Sequence, residues 1–193
     1  DLLPESTAHT AQSITEIKTN LERLDDLLQD YLSLVRTGAM RLVPEDLSLF
    51  VTQFAQEMTP ALTDHGITLQ LDGLDRLGRV SLHQNTFRRV LLNLLHNPME
   101  AMPQGGTLTL RGRRQGATVH LDIGDTAVGI PSEQTTQIFE PLHTTKPGGT
   151  GLGLYIVQEV VTAHNGQVAV QSVVGQGSTF TITLPLLRHQ ETT

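Results

Sequence analysis

Two asparagines, Asn93 and Asn97, lie four residues apart in a stretch whose apolar residues recur with helical periodicity over 82–102. Residues at positions i and i+4 share one face of a helix, so both amides can project into one site. An amide oxygen suits a hard cation such as Mg²⁺ that is held largely by substrate phosphates. In isolation, the pair could equally be two polar residues on the solvated side of the helix.

A glycine-rich run, Gly-Thr-Gly-Leu-Gly-Leu at 149–154, leads into a second predicted helix over 152–163. The backbone N–H groups at a helix N-terminus bind phosphate when the chain can approach closely. The run is not a P-loop, because no Gly-Lys-Ser/Thr sequence ends it, and alone it would be a weak signal. Together with the asparagines it predicts a nucleotide site.

Composition excludes several other classes. The chain has 193 residues, enough for one or two domains, and 13 basic against 20 acidic residues give it a net charge of −7. A broad attraction to nucleic acid or anionic lipid is therefore not expected. Cysteine is absent, and no apolar stretch or signal peptide indicates a membrane segment. We expect a cytoplasmic piece without nucleic-acid or membrane contacts, although upstream segments could anchor a longer protein.

The amino-terminal region has a different pattern from the rest. Its apolar residues alternate at steps of three and four, as in a heptad seam. This pattern predicts a bundle helix that self-associates, in a partial domain at 1–40 separate from a domain at 41–189. An amphipathic helix lying on its own domain is the alternative. The seam consists of Ile14, Ile17, Leu21, Leu24, Leu28, Tyr31 and Val35.

The remaining periodicities predict an α+β fold. Strands that pair as hairpins beside helices favour a two-layer sandwich with the helices on one face. A further helix is predicted at 45–62, and a strand at 67–71. Two hairpins are predicted, one that joins strands at 107–111 and 118–123 through a turn near 115–116, and one that joins 167–173 to 178–184.

Two more blocks lie between the asparagines and the glycine run. Asp125 and Gly129 belong to the block 125–131, which follows a predicted strand and could be only a turn. The sequences Phe-Glu-Pro at 139–141 and Thr-Thr-Lys at 144–146 lie in a long loop, and such loops are often functional or mobile.

In their order and spacing, the four blocks resemble the N, G1, F and G2 boxes of the Bergerat-type ATP-binding domain. The resemblance is specifically to the catalytic domain of two-component sensor histidine kinases, and it covers roughly 44–186. The segment 139–154 is similar to the nitrogen-regulation branch of that family. The helix within 1–40 resembles the second helix of the dimerisation and phosphotransfer hairpin. A Bergerat fold with a mixed sheet, and a homodimer in the full-length protein, are what the resemblance implies.

The resemblance also implies roles for single residues. Asn97 would ligate Mg²⁺, and Asn93 would bind phosphate or a bound water. Asp125 would accept a hydrogen bond from the adenine amino group, and Lys146 would neutralise charge on the transferred phosphoryl group. Phe139 would anchor the loop by packing. The other implied ATP-binding residues are Gly129, Thr145, Gly149, Thr150, Gly151, Leu152 and Gly153.

One position separates a kinase from a hydrolase. Bergerat-type ATPases carry a glutamate at the place of Asn93, where it serves as general base for water, and an amide cannot accept that proton. Glu100, three residues beyond Asn97, is the only substitute base in this helix, and we expect it to be solvated or hydrogen-bonded. Transfer to a protein side chain is therefore favoured over ATP hydrolysis.

The phosphoacceptor histidine is not evident among the eight histidines of the chain. The acceptor of the family lies in a His-Glu-x-x-Asn-Pro context, which neither His9 nor His96 provides. His143 lies in the loop before the glycine run, where it could touch phosphate, but we expect it to be solvated. The resemblance thus implies an acceptor upstream, outside this chain, and relay of the phosphoryl group to an aspartate of a response regulator.

Two departures from the family pattern lie in the implied site. Ala127 stands where glycine is usual, and its methyl group could crowd the adenine or forbid a left-handed backbone angle. Pro98 stands where alanine is usual, and proline within a helix costs about 3 kcal/mol. We expect weaker ATP binding than in a consensus sequence, which Ala127→Gly with Pro98→Ala should reverse. A kinase-deficient regulatory module is therefore the alternative function, and a Bergerat-type ATPase is the third.

Overall fold

The structure, a computed structural model, describes residues 40–146 and 149–187, together with Thr10, Ser13, Ile14, Ile17, Lys18 and Leu21. These six residues are helical, and the side chains of Ile14, Ile17 and Leu21 are exposed. The rest of the predicted heptad seam lies outside the described residues. The division into domains at 1–40 and 41–189 stays a prediction.

Residues 40–146 and 149–187 form three α-helices and seven strands. The helices are α1 (Leu47–Asp64), α2 (Gln84–Ala101) and α3 (Gly153–Ala163). The strands are β1 (Val43–Asp46), β2 (Ile67–Asp72), β3 (Arg79–Leu82), β4 (Gly106–Gln115), β5 (Thr118–Asp125), β6 (Gln167–Val173) and β7 (Gly177–Pro185). A short 3₁₀ turn, Leu74–Arg76, separates β2 from β3.

The main sheet is mixed, with the strand order β2-β4-β5-β7-β6. β2 and β4 are parallel, and the other neighbours are antiparallel. The two predicted hairpins, β4 with β5 and β6 with β7, are both confirmed. The parallel pair requires a crossover connection, which β3 and α2 provide.

Alternation of side chains along the strands gives the sheet one apolar face. The side chains of Leu108, Leu110, Leu121, Ile123 and Ile182 are buried on that face. The intervening residues are polar, and hydrogen bonds link them across strands on the other face. The predicted α+β sandwich with helices on one face is therefore confirmed.

Each helix contributes an apolar stripe to the core. In α1, a helical spacing buries Leu47, Val51, Phe54, Met58 and Leu62. The Asp46 side chain caps this helix by accepting a hydrogen bond from the Leu49 N–H at 3.1 Å. Within the described part of the chain, no helix combines the length and the apolar character needed to cross a lipid bilayer.

The small sheet of β1 and β3 was not predicted from the sequence. Its antiparallel register pairs Val43 with Leu82 and Asp46 with Arg79. Leu82 therefore ends a strand, and the prediction that the helix begins at 82 is wrong by two residues. Both strands have only four residues, too few to show a clear alternation.

Candidate functional site

A cavity of about 630 Å³ opens between α2, the end of β5 and the mouth of α3. The loop residues 139–146 and 149–150 are here called the lid, and residues 143–146 and 149–150 of the lid form another wall. This volume falls in the range of small-molecule sites. The predicted residues that line the cavity are Asn93, Asn97, Asp125, Gly129, Thr145, Lys146, Gly149, Thr150, Gly151 and Gly153.

Leu152 is the one predicted site residue that does not line the cavity. Its side chain packs against the hydrophobic core. Its backbone N–H donates to the Thr150 hydroxyl at 3.2 Å. Leu152 therefore orients the start of α3, and we expect any contact with a ligand to come from its neighbours.

Asn93 joins α2 to the first residue of α3. Its Nδ2 atom donates to the carbonyl oxygen of Gly153 at 3.0 Å. A Cβ atom built on Gly153 would lie 3.7 Å from the Asn93 side chain, which is ordinary van der Waals contact. The Asn93 nitrogen is thus engaged by the backbone, and the residue lines the cavity, so its oxygen is the atom we expect a ligand to contact.

Asn97 is already paired with a cation from the lid. Lys146 Nζ donates to Asn97 Oδ1 at 3.0 Å and to Glu100 Oε2 at 2.5 Å. Glu100 is exposed, as expected, but it forms an ion pair with Lys146 rather than standing alone in solvent. Two oxygen atoms of one helix face therefore surround a positive charge at the edge of the cavity.

Asp125 ends β5 at the opposite side of the cavity. Its Oδ1 atom accepts the backbone N–H groups of Ala127 at 2.9 Å and Ser178 at 3.2 Å. Burial raises the pKa of this carboxyl above 3.8, and the two backbone hydrogen bonds oppose the shift. Among the described residues both bonds end on Oδ1, so Oδ2 is the acceptor left for a ligand.

Two glycines hold the backbone around Asp125. Gly129 has a φ of +73°, and a Cβ atom there would lie 2.3 Å from the Val173 carbonyl oxygen. Gly177 has a φ of +101°, and its Cβ atom would lie 2.0 Å from the carbonyl oxygen of Asp125. The need for glycine at 129 thus comes from contact with β6. The Gly-Gln-Gly turn before β7 signalled only a hairpin, so the contact of Gly177 with the site was missed.

Gly151 allows the lid to pack against the glycine run. It has a φ of +67°, and a Cβ atom there would lie 2.4 Å from the carbonyl carbon of Leu142. Leu142 itself has a φ of +65°, which is rare for a residue with a side chain. The leucine side chain is 72% exposed. This turn places the next residue, His143, against the cavity.

His143 contradicts the expectation of a solvated loop residue. It is half-buried and lines the cavity, and its Nε2 atom is buried with no hydrogen-bond partner among the described residues. The reason is the left-handed backbone of Leu142, which turns the leucine outward and the histidine inward. A buried, unpaired nitrogen is costly and is commonly satisfied by a ligand or water.

Phe139 anchors the lid by packing, as predicted. Its ring meets the ring of Phe180 edge to face, with 6.4 Å between the centroids and an interplanar angle of 86°. This is a favoured aromatic arrangement. The buried side chain of Ile138 adds a second apolar anchor beside it.

Comparison with known proteins decides the family. The family described as histidine kinase-, DNA gyrase B-, and HSP90-like ATPases matches residues 82–188, more than half of the chain. The chain belongs to this ATPase family. The matched segment contains the cavity, from α2 through the lid to α3 and β7.

Relatives narrow the assignment within the ATPase family. The alginate biosynthesis sensor protein KinB of Pseudomonas aeruginosa is 36% identical, covering 91% of this chain and 31% of KinB. The sensor histidine kinase ZraS of Escherichia coli (strain K12) is 33% identical, covering 86% of this chain and 36% of ZraS. The chain thus spans about a third of the length of these relatives.

Solved structures give the same answer. The structure of full-length ShkA in complex with AMPPNP superposes with a TM-score of 0.77 at 28% identity, over 91% of this chain and 38% of ShkA. A mycobacterial sensor histidine kinase, MprB, superposes with a TM-score of 0.65 at 26% identity, over 75% of this chain and 97% of the MprB chain. This member of the ATPase family is the ATP-binding catalytic domain of sensor histidine kinases. The resemblance to the nitrogen-regulation branch stays a prediction.

The two departures from the family pattern leave the site intact in shape. In the described residues the only non-glycine residues with positive φ are Leu142 and Asn165, so Ala127 does not adopt a left-handed angle, and the idea that its methyl group forbids one stays a prediction. Ala127 does line the cavity, and crowding of the base by its methyl group stays a prediction. Pro98 is buried, and α2 continues through it to Ala101 without a break.

The residues present fit a magnesium ion held mainly by phosphate. The described residues contain no group of three or more His, Cys, Asp or Glu side chains that could hold a metal by themselves. The Lys146 ammonium between Asn97 and Glu100 stands in for a cation at oxygen ligands. Mg²⁺ prefers oxygen ligands and is usually bound by one or two carboxylates, waters and substrate phosphates.

One further residue on the same helix face was missed. Arg89 lies one turn before Asn93, and it lines the same cavity. The spacing of four residues could have revealed it, because 89, 93 and 97 share one face. Its positive charge suits the anionic end of a nucleotide.

Proposed function

We propose that this chain binds Mg-ATP in the cavity and transfers the γ-phosphoryl group to a histidine on a hairpin helix outside the chain. The observation that supports the proposal most is that Asn97, Asp125 and the mouth of α3 line one cavity. The ShkA structure, which superposes over most of this chain, contains AMPPNP, an analogue of ATP.

The adenine would bind beside Asp125. Oδ1 is fixed by two backbone N–H groups, so Oδ2 would accept the hydrogen bond from the adenine amino group. Guanine presents a carbonyl oxygen at the same place, which cannot donate. The cavity beside Asp125 is partly apolar, because Ile130, Ile138 and Val128 line it. These side chains suit the faces of an aromatic base.

The phosphates would bind between α2 and the mouth of α3. Leu152 provides no side-chain cap for α3, which leaves backbone N–H groups of the first turn for an anion. The Asn93 oxygen would face a phosphate or a bound water. The lid and glycine-run residues that would surround the same end are Thr145, Gly149, Thr150, Gly151 and Gly153.

Asn97 would hold the magnesium ion, and Lys146 would contact the phosphates. When bound, Mg²⁺ draws charge from the phosphate oxygens and lowers the cost of charge development during transfer. Lys146 would leave Asn97 and neutralise charge on the moving phosphoryl group. Because Lys146 belongs to the lid, its movement would bring the lid over the nucleotide.

In the transfer, an imidazole nitrogen of the acceptor attacks the γ-phosphorus. The bond from that phosphorus to the β,γ-bridging oxygen breaks, and ADP leaves. Asn93 stands where an ATPase needs a base for water, and an amide cannot take a proton from water. This supports transfer over hydrolysis.

The partners follow from the same chemistry. A response-regulator receiver domain would accept the phosphoryl group on an aspartate. The exposed apolar side chains of Ile14, Ile17 and Leu21 support self-association through the bundle helix as a homodimer. A cytoplasmic position of this region would give it access to ATP and to the regulator.

A mixing experiment tests the proposal. This chain is incubated with a separately purified acceptor hairpin and ATP labelled on the γ-phosphate, and phosphohistidine is followed by its lability in acid. We expect labelled hairpin with the wild-type chain and with Asn85→Ala, an exposed position on α2 outside the cavity. Asn97→Ala should abolish the label.

Two other outcomes would contradict the proposal. A folded chain that binds ATP but never labels the hairpin would be a regulatory module. Steady release of inorganic phosphate without a hairpin would make it an ATPase.

A further inference from the structure

The ion pair between the lid and α2 marks a cation position with two oxygen ligands. Lys146 Nζ lies 3.0 Å from Asn97 Oδ1 and 2.5 Å from Glu100 Oε2. Asn97 and Glu100 are three residues apart, so they project from neighbouring positions on one helix face. All three residues line the cavity.

We infer that Glu100 is a second protein ligand of the magnesium ion, and that the Lys146 ammonium holds this position until the nucleotide binds. The inference rests on the proposed binding of Mg-ATP. An amide oxygen alone is a neutral ligand, whereas Mg²⁺ in phosphate sites is commonly held by one or two carboxylates. Glu100 supplies the carboxylate next to Asn97.

The exchange of one cation for another keeps the charges matched. When Mg-ATP enters, Lys146 changes partners from Glu100 to the phosphates, and Mg²⁺ takes the place of the ammonium beside Asn97 and Glu100. No carboxylate is left without a positive neighbour at the end of the exchange. Asn97 and Glu100 would supply two oxygen ligands to Mg²⁺, and phosphates and waters would supply the others.

The exchange is also inexpensive. The side chains of Lys146 and Glu100 are 41% and 63% exposed. Ion pairs between exposed side chains contribute only about 0 to 1 kcal/mol. Breaking the pair therefore does not prevent binding, and it releases the lid from α2 as the metal arrives.

A purely structural role for Glu100 gives the opposite expectation. If Glu100 only held Lys146 in place, replacing it by glutamine would free Lys146 for the phosphates. ATP would then bind more tightly, and by the same factor with and without magnesium. If Glu100 is a metal ligand, the benefit of magnesium itself falls.

The test measures that benefit by calorimetry on the whole chain. The dissociation constant of ATP is determined with a chelator and again with excess Mg²⁺, and the ratio of the two is the magnesium enhancement. Loss of a hydrogen-bonding partner of a metal ligand costs about 10- to 100-fold in metal affinity, and loss of a ligand itself should cost at least as much. We therefore expect Glu100→Gln to lower the enhancement about tenfold.

Glu57→Gln is the matched control. Glu57 forms an ion pair with Arg88, and neither residue lines the cavity. The substitution makes the same change in net charge, so the enhancement should remain at the wild-type value. Lys146→Gln, which removes the competing ammonium, should raise the enhancement while weakening metal-free ATP binding.

Two results would overturn the inference without touching the proposed function. The first is an enhancement in Glu100→Gln equal to that in Glu57→Gln. The second is tighter ATP binding in Glu100→Gln by one factor under both conditions. Failure of the wild-type chain to bind ATP under either condition would instead refute the proposed function itself.

Discussion

Replacing Asp125 by asparagine should change which base the cavity accepts. Oδ1 of Asp125 accepts two backbone N–H groups, from Ala127 at 2.9 Å and Ser178 at 3.2 Å. An asparagine must keep its oxygen there, because its NH₂ group would face two donors. The amide nitrogen then takes the place of Oδ2. It meets the adenine amino group donor to donor, whereas a guanine carbonyl could accept from it.

The size of the effect follows from the lost hydrogen bond. A hydrogen bond to a charged group contributes about 1.5 to 3 kcal/mol. ATP should therefore bind roughly tenfold to a hundredfold more weakly to Asp125→Asn. The preference for ATP over GTP should fall further, because the new donor favours the guanine carbonyl.

The same substitution should not weaken the fold at neutral pH. Burial raises the pKa of Asp125 above 3.8, so the folded chain binds this proton more readily than the unfolded chain. The contribution of this group to the unfolding free energy is fully present below pH 3.8, and it is lost as the pH rises through the raised pKa. Asparagine removes that loss and retains both backbone hydrogen bonds.

Calorimetry with ATP and GTP, together with thermal unfolding, checks these expectations. Asp122→Asn is the control. Asp122 lies on the same strand, and its carboxylate accepts a hydrogen bond from the Thr181 hydroxyl on the other face of the sheet. It should leave both affinities unchanged. Wild-type ATP affinity in Asp125→Asn would refute the assignment of Asp125 to the adenine. Normal ATP binding with reduced stability would assign it a structural role alone.

Two further substitutions test the lid and the buried histidine that follows α3. Gly151→Ala should weaken ATP binding, because its Cβ atom would meet the backbone of Leu142 in the lid at 2.4 Å. The left-handed backbone at this position also strains an alanine, so a lower unfolding temperature should accompany the weaker binding. Unaltered affinity by calorimetry would contradict this. Burial lowers the pKa of His164, whose Nε2 atom accepts the His83 N–H at 3.0 Å. The contribution of His164 to the unfolding free energy is present above pH 6.5 and is lost as the pH falls through the lowered pKa. In denaturant titrations at several pH values, His164→Gln should therefore lose less unfolding free energy on acidification than the wild type. An equal loss in the variant would show that other groups cause it.

The parts of the site that are local in sequence could be predicted. Asn93 and Asn97 are four residues apart, so the helix period places them on one face. The glycine run directly precedes the helix that it opens. Both hairpins could be found because their strands are adjacent and alternate in polarity. The packing role of Phe139 was implied by the resemblance to the kinase family.

The parts of the fold and the site that depend on contacts between residues far apart in sequence could not be predicted. The pair of Lys146 with Glu100 joins residues 46 positions apart through the lid, and no local pattern encodes it. The backbone at Leu142, just before the half-buried His143, is left-handed. Because this position holds a leucine and not a glycine, the sequence does not indicate the turn. The parallel pairing of β2 with β4 also depends on a crossover, which local periodicity does not specify.

A crystal structure of this chain with AMPPNP and Mg²⁺ would test the central claim most directly. We predict the adenine at Asp125, the phosphates between Asn97 and the mouth of α3, and Lys146 moved from Asn97 to the phosphates. A nucleotide bound elsewhere, or a Lys146 that keeps its contact with Asn97 at saturating nucleotide, would contradict the account.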